Sequence, residues 1–175
     1  MTDLALFYYS RTGVTRQAAQ TLAGILDCPL FEVADADSRA GFLGDLRCVM
    51  DNLLGRKVPY RYVGPPLSAC GQAVVMAPVW VGRLAAPMRS FLADQGPQAR
   101  GVAAITVMAG RGGFRAAEEV GTLTGHPPHP VLVLLQREIV DGEANPDLKA
   151  FAETLRHPQT DTGQARPAWL SPNEA

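Results

Sequence analysis

Leu6-Phe7-Tyr8-Tyr9-Ser10-Arg11-Thr12-Gly13-Val14-Thr15-Arg16-Gln17-Ala18 is the stretch on which the reading of this chain turns. The apolar run from Leu4 to Tyr9 has the length of one strand, and the polar and glycine residues after it end that strand. Val14, Ala18, Leu22, Ile25 and Leu26 then recur on one helical face. A strand, a tight loop and a helix follow in order. The start of a helix presents unpaired N–H groups and the positive end of its dipole, so a phosphate is stabilised there without a lysine. Hydroxyls of Ser10, Thr12 and Thr15 add hydrogen-bonding groups, and Gly13 lets the backbone approach closely. A single Ser or Thr at such a place would be read as a helix cap. Three hydroxyls and a glycine within six residues, directly after an apolar strand, point to phosphate binding instead. The Gly-Lys-Ser/Thr ending of a nucleoside-triphosphate loop is missing, as is the glycine pattern of dinucleotide-binding folds.

Outward from this loop, the pattern repeats. Leu30 to Val33 reads as a second strand, and Phe42, Leu46, Val49, Met50 and Leu53 predict a helix over about Arg39 to Leu54. Gly55 to Gly71 reads as a loop, Ala73 to Ala77 as a buried strand ended by Pro78, and Ala86 to Asp94 as a short helix. Val102 to Met108 and Val131 to Leu135 are further strands, separated by a helix over Phe114 to Leu123. A last helix carries Leu148, Phe151, Ala152 and Leu155. Continuous apolar strands alternating with amphipathic helices are what a parallel sheet covered on both faces requires. The expectation is one α/β domain over residues 1–157, followed by an irregular tail at 158–175 from which Trp169 and Leu170 pack back onto the body.

Composition narrows the function. With 175 residues, 47% hydrophobic and 19% charged, the chain suits one globular domain with a sizeable core. No apolar run is long enough to span a bilayer, and no signal-like segment precedes Leu4, so a cytoplasmic location without membrane attachment is expected. A net charge of −1 argues against nucleic acid as a partner. Cys28, Cys48 and Cys70 lack the close spacing of zinc or dithiol motifs and are read as reduced, buried thiols. His126 and His129 stand three apart but lack a third ligand nearby, so Gly125 to Pro130 is read as a rigid turn and no metal is expected. No hydrolase elbow occurs, and Asp141 and Glu143 are taken as solvated.

Tyr8 to Thr15 resembles the FMN-phosphate loop of the flavodoxin family, whose Ser/Thr-x-Thr-Gly-x-Thr pattern is matched by Ser10-Arg11-Thr12-Gly13-Val14-Thr15. Pro78-Val79-Trp80-Val81-Gly82-Arg83-Leu84, with Pro87 and Phe91 farther on, resembles the family's first isoalloxazine loop. Ala109-Gly110-Arg111-Gly112-Gly113-Phe114 is a looser third match. Each falls at the carboxyl end of a predicted parallel strand, where doubly wound sheets bind their ligands. The resemblance implies a three-layer, doubly wound five-stranded parallel sheet in the order 2-1-3-4-5, with FMN as cofactor. It implies that Trp80 stacks on the isoalloxazine, and that backbone N–H groups of Gly82 and of Gly110 to Gly113 reach the flavin's polar edge. Many members place a second aromatic in the third loop; here Phe114 either takes that part or begins the next helix. Tyr60 and Tyr62 allow a homodimer in which they cover the flavin of a neighbouring subunit.

The three windows Ser10–Arg16, Pro78–Arg89 and Ala109–Arg115 hold Arg11, Arg16, Arg83, Arg89, Arg111 and Arg115 and no acidic residue. A positive rim is therefore expected, where electron-shuttling flavodoxins resemble one another in being acidic. Such a rim would stabilise reduced, anionic flavin and attract an anionic donor. The leading expectation is an FMN-dependent oxidoreductase that takes two electrons from a nicotinamide nucleotide and reduces a quinone or other acceptor. A flavodoxin-type electron carrier and a flavin-free binding or regulatory module are the alternatives. No catalytic acid or base is singled out.

Overall fold

The computed structural model describes residues 2–36, 55 and 57–157. The strands are β1 (Thr2–Tyr8), β2 (Leu30–Asp35), β3 (Tyr60–Tyr62), β4 (Cys70–Trp80), β5 (Arg83–Leu84), β6 (Val102–Met108) and β7 (Val131–Leu135). The helices among the described residues are α1 (Val14–Leu26), α2 (Ala86–Gln95), α3 (Gly113–Thr124), α4 (Gln136–Val140) and α5 (Asn145–Arg156). The sheet runs β3-β2-β1-β4-β6-β7, with β5 paired to β4. Its five long strands are parallel and in the expected order, β2-β1-β4-β6-β7. In register, Phe7 lies between Phe31 and Val75, and Val75 lies opposite Ala104.

Alternation along these strands divides the core in two. Phe7, Val75 and Ala104 face one side, where Met88, Phe91 and Leu92 of α2 and Ala116 and Val120 of α3 cover them. Leu6, Val74, Met76 and Ile105 face the other, beneath Ala18 and Leu22 of α1 and Leu148 and Phe151 of α5. Burial on both faces is why β4 and β6 read as unbroken apolar runs. The domain is a three-layer, doubly wound α/β sandwich.

Three details differ from the expectations. The segment from Gly55 to Gly71 is not all loop, because β3 adds antiparallel to β2, with Val33 opposite Tyr62. Three residues carry little periodic signal; aromatic packing holds them, Tyr62 standing 4.8 Å and Tyr60 5.8 Å from Phe91 between ring centroids. Second, β4 does not stop at Pro78 but continues to Trp80. β1 pairs with β4 only as far as Met76, so beyond that point β4 has an edge, where a proline is tolerated. β5 folds back there, and the Ala85 N–H donates to the Pro78 carbonyl at 3.0 Å. Third, the short α4 follows β7 directly, its start held by Glu138, whose Oε2 accepts from the Leu135 N–H at 3.0 Å. The helix expected over Arg39 to Leu54, Cys48, and the tail at 158–175 with Trp169 and Leu170 lie outside the described residues. Among the described residues no helix is long and apolar enough to cross a membrane.

Candidate functional site

Three loops leave the carboxyl ends of β1, β4 and β6, strands that are neighbours in the sheet. The chain winds to one side of β1 and then crosses to the other, so these ends flank the point where strand order reverses, the place at which such sheets bind ligands.

The first loop runs from Tyr9 to Gly13. Gly13, at φ 93°, is the N-cap of α1, and its N–H donates to Ser10 Oγ at 3.1 Å. Among the described residues no side chain caps α1, and its first turn holds no acid. The start of this helix is therefore electrostatically open to an anion. Ser10, Arg11 and Val14 are half-buried, Thr12 is exposed, and Thr15 is buried. Tyr9 is buried, and its hydroxyl donates to Asp35 Oδ2, at the end of β2, across 2.9 Å.

In the second loop, Pro78 and Val79 are buried, and Trp80 is a half-buried residue at the very end of β4. The Trp80 ring meets that of Tyr9 nearly edge-on, 5.7 Å between centroids at 82°, so the first and second loops touch through their aromatics. Val81 is 57% exposed and lies at φ 53°, in the left-handed region. A β-branched residue there is strained, and such strain persists only where the surroundings over-determine it. Gly82, at φ 71°, completes the turn into β5.

In the third loop, Ala109, Gly110 and Arg111 are exposed, Gly112 at φ 92° is the N-cap of α3, and Gly113 is the buried first residue of that helix. A Cβ on Gly112 would stand 2.6 Å from the Gly82 Cα, so the second and third loops are in backbone contact. Only a residue without a side chain permits this approach. Phe114 belongs to α3 and lines, with Ala117, Gly121, Pro127 and Val131, an open groove of about 580 Å³; the choice left by the sequence is resolved in favour of a helix residue.

The charge balance differs from the uniformly positive rim expected. Arg16 pairs with Glu32 of β2 at 2.6 Å, and Arg83 pairs with Glu119 of α3 at 2.6 Å. Arg89, buried at the start of α2, lies 3.8 Å from the same Glu119. Acidic residues outside the three sequence windows thus fold in against Arg16, Arg83 and Arg89. Arg111 and Arg115 stay exposed. Asp35 and Glu119 are the site neighbours that sequence reasoning missed: each acts across elements far apart in the chain, and no local pattern marks them.

Tyr60 and Tyr62 pack within the chain, Tyr60 donating to Asp94 at 3.0 Å and Tyr62 to the Pro65 carbonyl at 2.6 Å, with both rings against Phe91. These contacts secure β3 against α2. Burial pushes the thiols of Cys28 and Cys70 up. His126 Nε2 lies 3.3 Å from the Ala99 carbonyl and the His129 N–H donates to the Val102 carbonyl at 2.8 Å, fixing the turn before β7. Among the described residues no three His, Cys, Asp or Glu side chains cluster as metal ligands.

Taken together, the sheet and the three joined loops define a doubly wound α/β protein with an anion-ready helix start beside an aromatic platform at the switch point. Its fold is flavodoxin-like. The flavoprotein of Lactobacillus acidophilus NCFM, in a crystal structure with FMN, shares it with a TM-score of 0.62 at 19% identity, over 81% of this chain and 98% of that one. Fusobacterium nucleatum flavodoxin bound to flavin mononucleotide has a TM-score of 0.57 at 10% identity, over 90% of this chain and 99% of that one. Rubredoxin oxygen:oxidoreductase of Desulfovibrio gigas has a TM-score of 0.54 at 16% identity, covering 89% of this chain and 35% of the longer one. No protein-family model matches the sequence, and no curated sequence does.

Proposed function

We propose that this chain holds one FMN across the three loops and is a two-electron oxidoreductase, with a nicotinamide nucleotide as donor and a quinone or other small acceptor. The observation that carries the reading is the start of α1, which has no side-chain cap and no acid in its first turn, at the end of the β1 loop whose Tyr9 meets Trp80, together with the touching Gly82 and Gly112. Two neighbours of the same fold are described with that cofactor. The residues fit the group. Backbone N–H groups of Val14 and Thr15, with the hydroxyls of Ser10 and Thr12, would hold the phosphate, and Gly13 would let the backbone approach it. Trp80 would stack on the ring, and backbone N–H groups from Gly110 to Gly113 would bond its polar edge. FMN, when bound, supplies the hydride-accepting and electron-storing chemistry. Arg111 and Arg115, exposed at the third loop, would draw an anionic donor to the site.

A second reading, an electron carrier without its own small substrate, is favoured by the carboxylates that offset Arg16, Arg83 and Arg89. Stepwise anaerobic reduction separates the two after the protein has been saturated with FMN and desalted. Direct bleaching by two electrons, with turnover of a nicotinamide nucleotide, is the result expected of the oxidoreductase. A long-lived one-electron state without turnover would favour the carrier, and no retained flavin would overturn both.

A further inference from the structure

The carboxylate of Glu119, on α3, reaches across to the second loop. Its Oε1 accepts from Arg83 Nε at 3.2 Å and from Arg83 Nη2 at 2.6 Å, and its Oε2 accepts from the backbone N–H of Leu84 at 3.0 Å. Arg89 Nη1 stands 3.8 Å away. The Glu119 side chain is 16% exposed and that of Arg89 7%, so these charges sit largely out of water, where charge-assisted hydrogen bonds are strong and a lost partner is costly.

Arg83 and Leu84 are the whole of β5. They pair with Trp80 and Val79, which makes them the return arm of the hairpin whose turn is Val81–Gly82. The turn is strained at Val81 and abuts Gly112 of the third loop. A side chain on the helix after the third loop therefore grips the arm that fixes the second, and the glycine contact closes the other end of the same junction.

We propose that Glu119 is a positioning residue for the flavin ring: it locks the second loop to the third and so holds Trp80 and the Val81–Gly82 turn in their receiving conformation. This rests on the FMN reading above. The role is geometric, and it concerns the ring end of the site, not the phosphate end.

The test uses the full chain with Trp169→Phe, which leaves Trp80 as the single tryptophan, and compares it with the same chain carrying Glu119→Gln. In the flavin-free protein, Glu119→Gln is expected to lose the Trp80 band in near-ultraviolet circular dichroism while the far-ultraviolet spectrum is kept. FMN and riboflavin are then titrated separately. Both affinities should fall by the same factor, at least about tenfold, or about 1.4 kcal/mol, leaving the ratio between them, which the phosphate loop sets, unchanged. A retained Trp80 band with both affinities within about twofold of the parent would overturn the proposal; so would a loss confined to FMN. If Glu119→Gln does not fold, Arg83→Leu replaces it, removing two of the bonds while leaving that to Leu84; the same signature is expected, and its absence refutes the role. If the parent binds neither flavin, the FMN reading falls, and the Trp80 band alone decides what Glu119 does.

Discussion

Replacing Gly112 with alanine would place a methyl carbon 2.6 Å from the Gly82 Cα, against a backbone atom that cannot swing aside. Carbon atoms in ordinary contact stand about 3.5–4.0 Å apart, so the second and third loops would have to part by about 1 Å. Two costs add. Gly112 lies at φ 92°, and a side chain in the left-handed region costs roughly 1–2 kcal/mol. Overpacking a close-packed junction costs a further 1–3 kcal/mol or so. Gly82→Ala is the matched control: Gly82 lies at φ 71°, and a Cβ there meets nothing within 4 Å, so only the first cost applies. Urea unfolding of the flavin-free variants, with unchanged slopes, is expected to show Gly112→Ala less stable than Gly82→Ala by about 1–3 kcal/mol. FMN affinity should fall further in Gly112→Ala as well, because displacing positioning groups by about 1 Å spoils the geometry of a site. Equal unfolding free energies for the two variants would refute the contact between the loops.

Three further outcomes are expected. Val81, strained at φ 53° and largely exposed, gives up little burial on replacement by asparagine, which tolerates that conformation; Val81→Asn should raise the thermal midpoint by about 2–4 °C, for a gain of about 1 kcal/mol. A midpoint that falls would count against strain at this turn. Burial raises the phenol pKa of Tyr60 and Tyr62 to about 12, aided at Tyr60 by its bond to Asp94 and at Tyr62 by the charge of Cys70. Because both folded values lie above the ordinary one near 10, the stability they contribute is complete below that pH and is lost as pH rises toward about 12. Burial raises the Tyr8 phenol as well, so absorbance at the tyrosinate band should show at least two of the four tyrosines ionising late, together with unfolding; ionisation of all four near pH 10 in folded protein would contradict their packing. Asp94 is held below its usual range chiefly by hydrogen bonding to the Lys57 ammonium, so its contribution is present above the ordinary carboxylate pKa and fades as pH falls through the lowered one. Asp94→Asn should flatten the acid limb of stability against pH, and added salt should weaken the parent's limb, since the pair is solvent-facing.

Much of the fold is written locally. The run from Leu4 through Leu26 specifies strand, loop and helix by short-range periodicity and by a glycine where α1 begins, and that is also the part of the site nearest in sequence. Unbroken apolar runs at Ala73 to Ala77 and Val102 to Met108 announce strands buried on both faces, and their alternation with helices dictates a doubly wound sheet. Where neighbours in space are distant in sequence, this legibility ends. β3 is three residues held by rings from other elements, and β4 outruns Pro78 only because β1 has already stopped pairing beside it.

The site shows the same division. Residue types alone placed hydroxyls and glycines at the strand ends, since loop chemistry is set by the residues in the loop. Charge was decided by the tertiary structure: an arginine's field depends on which carboxylate folds against it, and Glu32 and Glu119 arrive from a strand and a helix outside the arginine-rich windows. Whether the second and third loops touch, through Gly82 and Gly112, was likewise beyond any local pattern, because that contact is fixed by the packing of β4 and β6 side by side in one sheet.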